Sequence, residues 1–92
     1  MSNQIAIVGY EQDSNCEHCG KALRHGIRIS DGRVVGAQCL NNQLTQPKVY
    51  QGKKFRFGTE LIIRAAKVVQ FYAPAAWSRF GVSNSTITFE AA

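Results

Sequence analysis

Several features are scarce or absent in this 92-residue sequence, which contains only two prolines, one methionine and one tryptophan. No apolar run approaches the roughly 18 residues that a membrane-spanning helix needs. The first residues also lack the basic start and apolar stretch of a secretory signal peptide. These absences argue against a membrane-spanning helix or a membrane partner, and we expect a cytoplasmic protein.

Lysine and arginine are absent from residues 1–20, which carry three acidic side chains and a charge of −3. Residues 21–92 carry all eleven Lys and Arg against three acidic side chains, a charge of +8. Polyanions are attracted to such a surface, although a basic composition also serves solubility alone. The charge distribution therefore favours a nucleic-acid-containing partner without requiring one.

The composition predicts a folded chain, because 45% of the residues are hydrophobic and 18% are charged. A length of 92 residues is typical of one domain, whose small core is only marginally stable without further support. We expect a single domain over residues 1–92. Residues 15–45 would form a knuckle, a hairpin and a short helix, and residues 55–90 a strand, a core helix and a last strand.

The hydrophobic pattern predicts an α+β fold with a small antiparallel sheet, one long core helix and one short helix. Apolar and polar residues alternate as in strands over residues 4–10, 22–30, 33–36, 55–57 and 86–90. Asp31-Gly32 is a tight-turn signal between the second and third of these. The short helix would begin near Gly36 and end near Leu44. The long helix would be capped by Thr59 and end near Tyr72, with an apolar stripe at helical spacing: Leu61, Ile62, Ala65, Val68, Val69 and Tyr72.

The three cysteines are an odd number, which does not complete a secreted disulfide framework. Cys16 and Cys19 form a C-x-x-C motif followed by Gly20, a spacing that lets both sulfur atoms face one metal ion. Cys39 stands near the start of the predicted short helix. The three thiols are therefore candidate zinc ligands.

Residues 15–42 resemble a treble-clef zinc finger, in which a knuckle and the first turn of a helix supply the ligands. The position three residues after Cys39 is Asn42, a poor zinc ligand, so we take His25 as the fourth candidate. The alternative is three reduced thiols that pack as small hydrophobic side chains. A nucleophilic pair of Cys39 and His25 would lack a third group to orient it. We therefore expect no enzymatic activity and no small-molecule substrate.

Basic side chains interleave with aromatic ones over residues 48–57. Lys and Arg contact phosphates, and an exposed Tyr stacks on unpaired bases. We expect Phe55 and Phe57 in the core, whereas Tyr50 would be exposed. A second basic group lies on the predicted hairpin. The predicted partner-binding residues are Lys21, Arg24, Arg28, Arg33, Lys48, Tyr50, Lys53, Lys54 and Arg56.

The whole chain, which begins MSNQIAIVGYEQDSNCEHCGKALRHGIRISDGRVVGAQC, resembles the small phage-encoded anti-CRISPR proteins, specifically inhibitors of the type I-F RNA-guided surveillance complex. The resemblance implies a protein that acts in the bacterial host cell, docks on subunits of this ribonucleoprotein and blocks target DNA hybridisation. Many such inhibitors are acidic mimics of DNA, whereas this chain is basic. We therefore expect it to contact the guide RNA as well. The alternative is a zinc-finger-like nucleic-acid-binding module, such as a small phage transcription accessory factor.

Overall fold

The computed structural model describes residues 3–92 and shows an α+β fold. The two longest strands, Gln4–Asn15 and Ala22–Ile29, are followed by a short strand and a helical segment that begins as an α-helix over Ala37–Cys39 and continues as a π-helical turn over Leu40–Leu44. A 3₁₀ segment, Pro74–Phe80, follows the long helix Thr59–Phe71. The strands are β1 (Gln4–Asn15), β2 (Ala22–Ile29), β3 (Val34–Gly36), β4 (Lys48–Tyr50), β5 (Lys53–Phe55) and β6 (Thr88–Glu90), and the helices are α1 (Ala37–Cys39), α2 (Thr59–Phe71) and α3 (Asn84–Ile87).

The main sheet is antiparallel and has the strand order β3-β2-β1-β6. Tyr10 and Ile27 are cross-strand partners and are both buried, which places them on the face that forms the core. The buried residues of α2, Ile62, Ala65, Ala66 and Val68, belong to the same core cluster. The predicted fold class, with its small antiparallel sheet, one long helix and short helical elements, is confirmed.

A second sheet consists of β4 and β5 alone, joined by a two-residue turn. Both turn residues, Gln51 and Gly52, have positive φ, as a type I′ hairpin turn requires. The amine of Lys48 anchors this hairpin by donating to the carbonyl oxygens of Ser85 and, at 2.6 Å, Thr88. The amine also lies 4.5 Å from the centroid of the Phe89 ring, a cation–π distance.

Several predicted boundaries differ from the structure. The first strand continues to Asn15 instead of ending at residue 10, because residues 9–15 pair with residues 22–28 of β2. Residues 86 and 87, which were predicted as the start of the last strand, belong to α3. Thr59 is the first residue of α2 and not its cap, since Gly58 holds the N-cap position without a side-chain hydrogen bond.

Two predicted core positions are also wrong. Tyr72 is 48% exposed at the end of α2, and Phe55 is 40% exposed on β5. Phe57 is half-buried and packs edge-on against Phe89. Leu61 is half-buried, whereas its neighbour Ile62 is 1% exposed. Of the predicted apolar stripe, Ile62, Ala65 and Val68 are buried, whereas Leu61 and Val69 are half-buried and Tyr72 is exposed.

Within residues 3–92, no helix is long and apolar enough to cross a membrane.

Candidate metal centre and basic surface

The C-x-x-C segment folds as a tight knuckle. The backbone N–H of Cys16 donates a hydrogen bond to the Lys21 carbonyl at 2.8 Å. The backbone N–H of Gly20 donates one to the Cys16 carbonyl at 2.8 Å. Gly20 closes the turn with φ of 80°, a conformation that side-chain-bearing residues rarely adopt. The knuckle is joined to β3, because the N–H of Glu17 donates to the Val34 carbonyl at 2.9 Å. The chain therefore brings the first two cysteines to the edge of the hairpin.

The sulfur atoms of Cys16, Cys19 and Cys39 all lie within 4.8 Å of one another. The Cys19 and Cys39 sulfurs are 3.5 Å apart. Tetrahedral zinc with Zn–S bonds of about 2.3 Å separates its sulfur ligands by about 3.8 Å, close to the spacing seen here. The residues present therefore fit a metal ion, and the order of knuckle, hairpin and helix matches the predicted treble-clef-like arrangement.

Backbone groups surround the buried sulfur of Cys16. Burial opposes its ionisation, but hydrogen bonds from the backbone of Gly36, Cys19 and His18 outweigh this effect and lower the Cys16 pKa to about 7. The Gly36 N–H lies 3.4 Å from this sulfur. A Cβ at Gly36 would lie 3.1 Å from the end of the Leu23 side chain of β2, so this leucine would have to shift if Gly36 carried a side chain.

The Cys39 thiol behaves in the opposite way. Burial and the neighbouring Cys19 and Cys16 sulfurs raise the Cys39 pKa to about 12, because a second or third negative charge in one cluster is unfavourable. A bound cation would reverse this effect, since a coordinated thiol is deprotonated by its metal. The three thiols are free cysteines in this structure.

His25, the predicted fourth ligand, is not part of the cysteine cluster. Its Nδ1 atom is hydrogen-bonded to the Tyr10 hydroxyl, and the two rings lie 5.8 Å apart between centroids. The physical reason lies in the strand geometry: Leu23 and His25 share one face of β2, and Leu23 is the one that reaches Gly36 beside the cluster. His25, two positions further along, instead reaches the Tyr10 side chain of β1.

The predicted basic residues fall into two classes. Four are engaged within the protein: Arg28 pairs with Glu11 at 3.1 Å, Arg33 pairs with Asp31 at 2.7 Å, Lys48 anchors the hairpin, and Arg56 donates to the Asn41 and Thr45 carbonyls. Burial lowers the pKa of Lys48. Lys48 and Arg56 therefore stabilise the fold, which was not apparent from their place in a basic run.

The other four predicted cations are exposed, and within residues 3–92 their side chains make no ion pair or hydrogen bond: Lys21, Arg24, Lys53 and Lys54. Arg24 and Arg28 lie on the outer face of β2, as their even spacing predicted. Lys21 and Arg24 border a cleft beside the cysteines. Lys53 and Lys54 lie on the β4–β5 hairpin, so the free cations form two groups on different elements.

The hairpin tip combines aromatic and cationic side chains. Tyr50 and Lys53 are direct cross-strand partners, as are Val49 and Lys54 on the opposite face. Tyr50 is 67% exposed and Val49 is 64% exposed, whereas most large apolar side chains of β1 and β2 are buried. Sequence reasoning predicted the exposure of Tyr50 but missed Val49, whose apolar character gives no signal of exposure.

An exposed aromatic group at the end of α2 was not predicted from the sequence. Phe71 is 67% exposed, and the rings of Tyr72 and Phe80 pack with their centroids 4.5 Å apart. The indole N–H of Trp77 donates to the Tyr72 carbonyl at 3.0 Å. Helical spacing predicted that Tyr72 would lie on the buried stripe of α2. The helix ends one residue earlier, at Phe71, so Tyr72 does not continue that stripe and its side chain is exposed.

Comparison of the chain with models of protein families, with curated proteins and with solved structures finds no match.

Proposed function

We propose that this protein is a non-enzymatic anti-CRISPR protein that binds the type I-F RNA-guided surveillance complex and blocks target DNA hybridisation. The observation that supports the proposal most directly is the tip of the β4–β5 hairpin, where the exposed ring of Tyr50 stands opposite Lys53 and Lys54 lies on the other face of the same hairpin. This combination binds single-stranded nucleic acid, because the cations contact phosphates and the ring stacks on a base.

The hairpin is suited to this role because its base is anchored while its tip is free. Lys48 and Arg56 bind backbone carbonyls of α3, β6 and the segment around Thr45. The tip residues, from Tyr50 to Lys54, are all exposed. In this proposal the tip contacts the guide RNA, while protein subunits contact the surrounding surface.

In the same proposal, zinc bound by Cys16, Cys19 and Cys39 has a structural role. The ion would join the knuckle, whose Glu17 N–H binds β3, to the helical segment that contains Cys39. Structural zinc sites contribute folding free energy directly, and a small core benefits from this contribution.

The test is a titration of target DNA binding by the surveillance complex against the concentration of this protein, at two salt concentrations. Inhibition should be complete at a fixed stoichiometry, because obstruction consumes one inhibitor per site. Lys53→Glu/Lys54→Glu should abolish binding. For the milder Lys53→Gln/Lys54→Gln, the slope of log affinity against log salt should fall by about 1.4, since each single-strand phosphate contact contributes roughly 0.7.

Two variants serve as controls. Arg64→Glu/Arg79→Glu makes the same charge change on exposed residues outside the hairpin and should retain binding. Tyr50→Ala should weaken binding by about 1–3 kcal/mol while leaving the melting temperature unchanged, because the lost interaction is base stacking. Full inhibition by Lys53→Glu/Lys54→Glu would contradict the role of the hairpin. Complete inhibition by less than one molecule of the wild-type protein per complex would contradict obstruction.

The cysteine cluster favours a second candidate, a zinc-finger-like nucleic-acid-binding module or small phage transcription accessory factor. Such a module would bind free RNA or DNA with an affinity that depends on the metal. Binding that requires the assembled surveillance complex would instead support the first proposal. A gel-shift assay with free guide RNA, beside a pull-down with the complex, separates the two.

A further inference from the structure

The cysteine cluster supplies three ligands, one fewer than a closed structural zinc site. Among residues 3–92, no other His, Cys, Asp or Glu side chain joins Cys16, Cys19 and Cys39 in a group of this size. Structural zinc sites are closed by four protein ligands, whereas sites with three protein ligands keep one position open to an external molecule. A metal ion bound here would therefore have one position available.

The surroundings of the three sulfurs define where that position faces. Cys16 is 2% exposed, so its sulfur forms the floor of the cluster. Cys19 and Cys39 instead line a cleft of about 610 Å³ between β2, α1 and α2. This volume lies within the range of roughly 300–1,000 Å³ that is usual for small-molecule sites. The open position is thus directed to a cleft large enough for a small ligand.

The charges around the cleft indicate the chemical class of that ligand. Lys21 lines it from the end of the knuckle, and Arg24 lines it from the part of β2 that extends beyond its pairing with β3. Neither has an intramolecular ion pair within the described residues. A zinc ion with three thiolates carries a charge of −1, and a fourth thiolate makes it −2, which two nearby cations would offset. Thiolate sulfur is a common zinc ligand, and closed sites with four thiolates are known.

Resting on the zinc site of the proposed function, we infer that the fourth ligand is a small soluble thiol carrying a carboxylate, held by the metal and by Lys21 and Arg24. The thiol loses its proton to solvent, and its thiolate displaces water from the metal. No electrons are transferred. The carboxylate lies near the two cations, because charge-assisted contacts with Arg and Lys are the strong polar interactions available in this cleft.

His25 is the competing protein ligand, since it lines the same cleft. Neither ring nitrogen of His25 belongs to the group of sulfur atoms that lie within 4.8 Å of one another, and its Nδ1 is held by the Tyr10 hydroxyl. His25 would therefore have to move toward the three sulfurs to bind the metal. The structure gives His25 an established partner and leaves the cleft open. An external thiol requires no such rearrangement.

The experiment uses the full chain, reduced, freed of metal and loaded anaerobically with Co²⁺, whose visible absorption reports the ligand set. Free cysteine and glutathione are titrated in, with S-methylcysteine and the carboxylate-free thiol cysteamine as matched probes. We expect a saturable spectral change with one equivalent of cysteine or glutathione, none with S-methylcysteine, and a weaker affinity for cysteamine. Lys21→Gln/Arg24→Gln should weaken glutathione binding by roughly threefold to tenfold, whereas Lys53→Gln/Lys54→Gln should have no effect, since exposed charge pairs contribute modestly.

The outcomes separate this inference from the zinc site itself. A thiolate-to-cobalt absorption band that does not change when any of the thiols is added would contradict the external thiol ligand and would still support the metal site. Loss of the tetrahedral spectrum in His25→Ala would do the same and assign the fourth position to His25. A metal-dependent dimer in solution would assign it to a second copy of this chain. Absence of any thiolate-to-cobalt band would overturn both proposals.

Discussion

At the scale of single residues, the contact between Asp31 and Arg33 should make the stability of the protein depend on pH. Its carboxylate accepts the Arg33 backbone N–H at 2.9 Å and the Arg33 side chain at 2.8 Å. The side-chain hydrogen bond from Arg33 is the main cause that holds the Asp31 pKa below its usual value of 3.8. A carboxylate with a lowered pKa stabilises the folded state above its ordinary pKa, and this contribution disappears as the pH falls through the lowered value.

Asp31→Asn therefore tests the charge of this turn. The variant keeps an acceptor for the Arg33 N–H and removes the ion pair, so its melting temperature should lie slightly below that of the wild type at pH 7. The difference should be constant down to about pH 5 and vanish well below pH 3.8. Thermal melts followed by circular dichroism from pH 2 to pH 7 measure it. A difference that persists at pH 2 would assign the effect to the turn backbone and not to the charge.

The residue scale also shows which site residues the sequence could predict. Cys16 and Cys19 were predicted from their spacing, because the turn of a C-x-x-C-G segment is local and its geometry is set by Gly20. Cys39 was predicted from its place near the start of the short helix, after the knuckle and the hairpin. The partners of His25 and Lys48 were not predictable in this way. Each side chain binds a group distant in sequence, and only the packing of the whole chain determines which group lies within its reach.

At the scale of elements, α2 gives a direct test of which face is buried. Ile62 is 1% exposed, whereas Leu61 is half-buried and lines a surface groove with Glu60 and Arg64. Ile62→Ala should lower the free energy of unfolding by about 2–5 kcal/mol, because it removes buried atoms and leaves a cavity. Leu61→Ala should cost roughly half as much or less, since part of that side chain already contacts water.

Urea denaturation of both variants measures these free energies, with Arg64→Ala as a control on the exposed face of the same helix. The control should change stability by no more than about 0.5 kcal/mol. A larger cost at Leu61 than at Ile62 would mean that α2 is rotated about its axis, with Leu61 and not Ile62 facing the core.

At this scale, the hydrophobic pattern and the turn residues were sufficient to predict one hairpin but not the other. The Asp31-Gly32 turn and the alternation around it predicted β2 and β3 almost to the residue. The β4–β5 hairpin was missed because its turn is Gln51-Gly52, and Gln is not typical of the positive φ that it adopts here. Its strands have three residues each and stand on the surface, so they carry little of the alternation that marks a buried strand.

At the scale of the whole molecule, zinc bound at the cysteine cluster would influence global stability. The cluster brings together the knuckle and the helical segment after β3, and structural zinc supplies folding free energy of order 10 kcal/mol in small domains. Removing the ion with a chelator should lower the melting temperature by more than about 10 °C, since 1 kcal/mol corresponds to roughly 4–8 °C at this size. Elemental analysis of protein purified without added zinc should find about one zinc per chain.

The matched control is Cys16→Ser/Cys19→Ser, which removes two of the three sulfurs. Its melting temperature should be low already and should not respond to the chelator. A wild-type protein that contains no metal and melts at the same temperature with and without chelator would support the alternative of three packed thiols.

The pairing of β1 with β6 has a consequence for synthesis on the ribosome. Gln4 is the cross-strand partner of Glu90, and the Gln4 side-chain amide donates a hydrogen bond to the Glu90 carboxylate, 86 positions away in sequence. Contacts of such separation close late in folding, because the intervening chain must first be ordered. When a nascent chain has emerged only as far as α2, the residues of β1 have left the ribosome. Phe89, which belongs to the same core cluster as Ile5 of β1, has not yet emerged. The edge of β1 at residues 4–6 therefore stays open to other strands until β6 leaves the exit tunnel, and slower translation would lengthen that exposure.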